Sequence, residues 1–268
     1  MIWMLLLTGL LCASCALPGP ELPGMVHILS IGISYEGTDA QRLRGTLNDA
    51  KELLAAFSQR YKTCTTQLLV EETATKEHVV QALSMMPDGE LAIIIYSGHG
   101  TKDGSWVLRD PEGRQFGDDG KVKQENLLAP DELWRILDCR PEPVLVVSDS
   151  CYSGNLLPAS ASVSSPNDKE CELSLGSCPD SRFALVCTTR ENTGKEDRES
   201  HRHGYFSRAL LGELGWDHEQ ERLAAPPRAI SLDSLYEGVL HRQELAVDGP
   251  GRNSQHPVVS PGPWELWL

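Results

Sequence analysis

Leu91-Ala92-Ile93-Ile94-Ile95-Tyr96-Ser97-Gly98-His99-Gly100 and Val144-Leu145-Val146-Val147-Ser148-Asp149-Ser150-Cys151-Tyr152-Ser153-Gly154 decide the fold. Each is a short apolar run that closes on a glycine-bearing polar motif. Runs of this kind read as strands buried on both faces, the habit of parallel sheets covered by helices. In open α/β sheets, functional groups gather just past the carboxyl ends of the strands. His99 and Cys151, each delivered past the end of its strand, are therefore placed to meet.

Working outward, Val26 to Ile33 reads as a first buried strand, Asn48 to Tyr61 as a helix with Leu53, Leu54 and Phe57 on its apolar stripe, and Thr66 to Val70 as a second strand. Thr75 opens a helix through Met86. A short hairpin is expected around Ser105-Trp106-Val107-Leu108, and Pro130 suits the first turn of a helix through Leu137. After the Val144–Asp149 strand, residues 155–181 are rich in Ser, Pro and Asn and read as a long exposed loop. Arg182 to Thr188 is a further strand, Tyr205 to Trp216 and Ser231 to about Ala246 are helices, and the C-terminal segment holds an edge strand. Strands alternating with helices predict a three-layer α/β/α sandwich with a mainly parallel sheet.

The chemistry asks for these residue types. Thiolate rather than thiol attacks a carbonyl, and a free cysteine is mostly protonated near neutral pH. An imidazole at His99 would take the proton from Cys151 and return it to a leaving amine. Gly98 and Gly100 let the backbone approach a substrate, and Gly154 with the turn amides around Cys151 offers N–H donors to an oxyanion. Asp149 stands two residues before Cys151 on a strand, so both side chains point to the same general face. A buried carboxylate there needs a cationic partner, which an incoming Arg supplies bidentately.

The 268 residues fit one large domain, and 40% hydrophobic composition is enough for a substantial core. A formal net charge of -14 without a basic run excludes nucleic acid as a partner and favours basic ones. Residues 2–16 are apolar and end in Ser14-Cys15-Ala16, which suits signal-peptidase cleavage, yet no Lys or Arg precedes them. Two readings stay open for residues 1–24: a signal peptide of a secreted protein, or an upstream extension with translation beginning at Met25 in a cytoplasmic one. Either way the mature protein is expected to carry no transmembrane segment. The eight cysteines show no disulfide framework, although Cys171 and Cys178 flank the serine-rich loop and would pair in a secreted protein.

Three motifs in order resemble the caspase-like cysteine peptidases, and within them the metacaspases. Gly32-Ile33-Ser34-Tyr35-Glu36-Gly37-Thr38 with Leu43-Arg44-Gly45-Thr46-Leu47-Asn48-Asp49-Ala50 is similar to the family's opening strand and first helix. Tyr96–Gly100 resembles its histidine motif, and Asp149–Gly154 its nucleophile motif. The resemblance covers about residues 26–216, within a peptidase domain drawn at 25–268. It implies a His99 general base, a Cys151 nucleophile, and an S1 pocket for substrate Arg or Lys made by Asp49 and Asp149 and lined by Ser97 and Thr46. It implies protein or peptide substrates and calcium as an activator in many members; no obligatory cofactor is expected, and a monomer is expected although the sequence leaves oligomeric state open. Asp131 and Glu132, with Asp118 and Asp119 nearby, are the candidate calcium ligands, although Pro158 stands where the family places a last acid. The 155–181 loop sits where members are cut during maturation, with Lys169 and Arg182 as candidate self-cleavage points. Alternatives from other classes are a catalytically silent caspase-like regulator, a legumain-like peptidase, and a metal site of Cys171, Cys178, His201 and His203.

Overall fold

The computed structural model describes residues 20–157, 181–196, 202–246, 255–260 and 266–268. In chain order the elements are β1 (Met25–Gly32), α1 (Thr46–Ser58), β2 (Thr63–Val70), α2 (Lys76–Met85), β3 (Leu91–Ser97), β4 (Trp106–Val107), β5 (Leu127–Leu128), α3 (Pro130–Leu137), β6 (Val144–Asp149), β7 (Arg182–Val186), α4 (Tyr205–Leu214), β8 (Trp216–Asp217), β9 (Arg222–Leu223), α5 (Leu232–Ala246) and β10 (Val258–Val259). A six-stranded sheet runs β10-β7-β6-β3-β1-β2, parallel throughout except for β10 against β7.

Strand alternation sorts the core into two halves. On β3, Ala92, Ile94 and Tyr96 face the side where Val79 and Leu83 of α2 and Leu133 and Leu137 of α3 pack. Leu91, Ile93 and Ile95 face the other side, against Leu53 and Phe57 of α1, Phe206 and Leu210 of α4, and Leu235 and Val239 of α5. Each large aliphatic side chain so buried contributes about 1.5–3 kcal/mol. This is the expected three-layer sandwich, and the same parity governs the site. Ser97 and Asp149 are register partners at the ends of β3 and β6, and each shares the parity of Ile95 and Val147, so both face the α1/α4 layer.

The chain leaves β1 for the edge at β2 and returns past β1 to β3, so the order switches direction beside β1. Such a switch point opens a crevice at the strand ends. Gly32 closes the last turn of β1 against α1, where a Cβ would stand 2.6 Å from that of Ala50. Thr75 caps α2 by accepting the His78 N–H, and Pro130 opens α3.

The hairpin expected around Ser105–Leu108 is present, with Gly100 bridged antiparallel to Trp106 across a Thr101–Gly104 turn, and Trp106–Val107 pairs further with Leu127–Leu128, across a segment that makes its own turns around Asp110 and Gly117–Lys121. The helix expected to reach Trp216 stops at Leu214, where Gly215 takes φ 78° as a left-handed cap and Trp216 starts the small β8–β9 ribbon. Residues 1–19 and most of the 155–181 loop lie outside the described residues. No described helix is long and apolar enough to cross a membrane.

Candidate active site

His99 and Cys151 both emerge at the carboxyl ends of β3 and β6. The strands bring their backbones into contact: Gly98 N–H donates to Asp149 O at 3.2 Å, and a Cβ on Gly100 would collide with the Cys151 carbonyl. The turn is tight. Tyr152, directly after the cysteine, takes φ 55° in the left-handed region, which costs a non-glycine residue of order 1–3 kcal/mol and re-aims the chain into the Ser153–Leu156 turn.

The histidine is held by groups the sequence left silent. His99 Nε2 lies 2.7 Å from the Gln41 carbonyl. A carbonyl only accepts, so Nε2 carries the proton and Nδ1 is left as the base. The His99 ring lies 4.5 Å from that of Tyr35, whose hydroxyl accepts the His99 N–H and donates to Val107 O. Burial lowers the His99 pKa against the opposing pull of the Gln41 carbonyl. Burial raises that of the Cys151 thiol, against backbone N–H groups including those of Gly100 and of Cys151 itself. Both shifts favour neutral partners. The thiol faces the Gly194 carbonyl at 4.0 Å, on a loop that also accepts the Tyr152 N–H through Asn192 O.

The two acids predicted for the pocket converge beneath this turn on the α1/α4 side. Asp49, on the first turn of α1, accepts from Ser97 Oγ at 2.9 Å, from the Gly204 N–H, and from His203 Nδ1 at 2.9 Å. Asp149 accepts from both the N–H and Oγ of Ser207, in the first turn of α4. Gly204 separates the two carboxyls, and a Cβ there would run into Asp149. Asp49 is 1% exposed and Asp149 8%. Burial, and then the charge of Asp149, push the Asp49 carboxyl up to about 7, with His203 working the other way. Burial also raises Asp149, against its Ser207 hydrogen bonds. Thr46 stands beside them but spends its hydroxyl on Ile33 O. The cation expected for Asp49 from a substrate is met first from within the chain, by His203.

Against this geometry, the family model for the caspase domain, peptidase family C14, matches residues 26–259. The chain belongs to the caspase domain family. It is 30% identical over 143 residues to metacaspase-6 of Arabidopsis thaliana, a match spanning 48% of this chain and 38% of that protein's length. Caspase-1 of Spodoptera frugiperda shares the fold at a TM-score of 0.54 and 15% identity, covering 88% of this chain and 84% of that one. Protein GSU0716 of Geobacter sulfurreducens does so at 0.56 and 20%, covering 90% and 96%. The family suggests a cysteine peptidase acting on protein substrates.

Other predicted positions of this caspase domain fall elsewhere. Gly154 is buried under the backbone of Thr188–Arg190, where a Cβ would come within 2.6 Å of Arg190 N, so its glycine serves close packing. Asp131 pairs with Arg135 and Glu132 with Lys76 at 2.8 Å, while Asp118 and Asp119 sit in the exposed 117–121 turn. The structure does not gather these four into one group. Arg182 needs correction as a cleavage point. It is the first residue of β7, 5% exposed, with its guanidinium on the carbonyls of Arg140 and Glu142. A peptidase needs an exposed, extended segment, and this one is locked in the sheet. Lys169, with Cys171, Cys178 and His201, lies outside the described residues. Gln41 acts through its backbone, so no side-chain pattern could flag it. His203 and Ser207 carried a weak signal, a polar stretch running into a helix start.

Proposed function

We propose that this caspase domain is a cysteine endopeptidase in which Cys151 attacks and His99 Nδ1 moves the proton, cutting after Arg or Lys. The observation that carries the reading is the pair of buried, mutually repelling carboxylates of Asp49 and Asp149 directly under the nucleophile turn. Two desolvated acids so close favour a guanidinium or ammonium reaching both, once the Gly204 segment that separates them gives way to it. Cys151 Sγ would bond to the substrate carbonyl carbon as its proton passes to His99. The resulting oxyanion would lie against the N–H groups of Gly100 and Cys151, and His99⁺ would then protonate the leaving amine. Water completes the cycle by hydrolysing the thioester, and the reaction itself needs no cofactor.

In this reading the resting molecule is latent. The thiol faces Gly194 O, and both dyad members are pushed toward neutrality, so substrate entry has to move the 188–196 loop. Cutting at Lys169 would be the activating event.

The test is hydrolysis of fluorogenic peptides ending in Arg, Lys, Asp or Asn, by wild type and Cys151→Ala, with and without calcium. Turnover after Arg and Lys that disappears in the variant is expected. Turnover after Asp or Asn overturns the pocket assignment. No turnover by folded protein, including after nicking of the 155–181 loop, overturns the enzyme reading in favour of a silent regulator.

A further inference from the structure

Helix α1 presents two acids on one face, Asp49 and Glu52, three residues apart. His203 lies between them. Its Nδ1 is held by Asp49 at 2.9 Å, while its Nε2 makes no hydrogen bond although the side chain is only 4% exposed. A buried imidazole nitrogen without a partner is costly and asks what it is aimed at. It is aimed at Glu52, whose Oε1 lies 3.4 Å away, beyond a well-formed hydrogen bond in this arrangement. The other oxygen, Oε2, is 2.6 Å from His218 Nδ1 and accepts from Trp216 Nε1 at 2.7 Å. The rings of His203 and His218 stand 5.0 Å apart. One ligand atom from each of Glu52, His203 and His218 falls within 4.8 Å of the others, and this is the one such group among the described residues.

We propose that Glu52, His203 and His218 bind a zinc-class divalent cation. Two imidazoles and one carboxylate are a common zinc donor set, with water in a fourth position. With metal–ligand bonds of about 2.0–2.1 Å, tetrahedral ligand atoms lie about 3.3 Å apart, so the His203–Glu52 pair is already at coordination spacing. Asp49 on His203 Nδ1 supplies the carboxylate–histidine–metal relay that fixes tautomer and ring orientation, and Trp216 orients Glu52 in the same way. Coordination needs the Nε2 lone pair free, and Asp49 favours that tautomer by accepting the hydrogen bond from Nδ1–H. The three ligands come from α1, the segment before α4 and the β8–β9 turn, which a cation would tie together. Neither Cys151 nor His99 takes part.

The experiment is a titration of the full chain with Zn²⁺ against a competing chelator, in the Cys151→Ala background so that the nucleophile offers no thiolate. One site per chain is expected, weakened about tenfold or more by His218→Ala and by Glu52→Gln, since losing even an outer hydrogen-bond partner weakens a site about 10–100-fold. His241→Ala, on an exposed residue of α5, should leave it unchanged. His218 is partly exposed on a turn, and circular dichroism of each variant confirms folding. Co²⁺ in place of Zn²⁺ should give visible ligand-field bands without the near-ultraviolet charge transfer of a thiolate site. No binding, equal binding in the folded His218→Ala protein, or a thiolate band each overturns the proposal. Because the measurement uses a catalytically dead chain, failure of the peptidase reading leaves it intact.

Discussion

Asp149→Asn separates a specificity acid from a structural brace. The side chain keeps its shape, and its oxygen still accepts the N–H and hydroxyl of Ser207. What disappears is one buried negative charge beside Asp49. If a substrate guanidinium pairs with the two acids, removing one partner of that desolvated pair costs about 2–5 kcal/mol. Taking about 3 kcal/mol, and a tenfold rate change per 1.36 kcal/mol, kcat/KM for an Arg peptide falls by about two orders of magnitude. Much of the loss should appear in KM, since the contact exists before the chemistry. Stability should move the other way. Burial raises the Asp149 carboxyl above its ordinary value, so the folded state prefers it neutral. Its ionised form therefore costs stability as pH rises from the ordinary carboxylate range through the raised value, and Asn removes that cost. A thermal midpoint at pH 7.5 equal to or above wild type is expected, read by calorimetry beside peptide kinetics. A midpoint several degrees lower with Arg-peptide turnover intact would refute the reasoning and make Asp149 a brace for the Cys151 turn.

The Asp49–His203 pair predicts an alkaline loss of stability. His203, lowered by burial but raised more by Asp49 and Glu52, reaches about 9 from 6.5, so its contribution is full below 6.5 and lost as pH climbs through 9; Asp49, raised from 3.8 to about 7, loses its share between those values. The melting temperature should fall between pH 6.5 and 9 in wild type and less steeply in His203→Gln, measured by differential scanning fluorimetry. Gly100→Ala places a methyl against the Cys151 carbonyl, a backbone atom that cannot yield cheaply. A destabilisation of about 1–3 kcal/mol by urea titration is expected, with loss of peptide turnover. If self-processing occurs, Cys151→Ala should remain a single band on a denaturing gel, and Lys169→Gln should suppress nicking. Arg182→Gln should leave the pattern unchanged while lowering the melting temperature, because two buried carbonyls lose their donor.

Period-two and period-3.6 patterning made the layers legible. The apolar runs at 91–97 and 144–149 could only be strands buried on both faces, and the motifs at their ends inherit the crevice from the sheet. Asp149 was readable for the same reason, because its parity with Val147 fixes its face. Distant pairing was not readable. Trp106–Val107 finds its partner at Leu127–Leu128 through turns whose geometry depends on Asp110 accepting the N–H groups of Glu112 and Arg114. His203 shows the limit from another side. A polar stretch with two nearby histidines gave no hint that one would lie buried between Asp49 and Glu52, more than 150 positions earlier in the chain. Arg182 misled for a related reason: a basic residue at the edge of a serine-rich loop looks cleavable until the sheet claims it.

The resting dyad follows from the same burial that builds the pocket. An exposed thiol next to a solvated imidazole would sit partly as an ion pair; here, desolvation lifts the thiol and depresses the imidazole together. Gln41 O fixes the proton on His99 Nε2, so the base at Nδ1 is ready, but the thiol has no strong acceptor and faces Gly194 O at a long 4.0 Å. Alkylation of Cys151 by a neutral reagent such as iodoacetamide should therefore be slow at pH 7 and accelerate only above the ordinary thiol range. Gly194→Pro, which disturbs the 188–196 loop, should speed it. Rapid alkylation of the unaltered protein at pH 6, localised to Cys151 by peptide mass, would mean that a thiolate–imidazolium pair already exists and that the loop is not what holds the nucleophile silent.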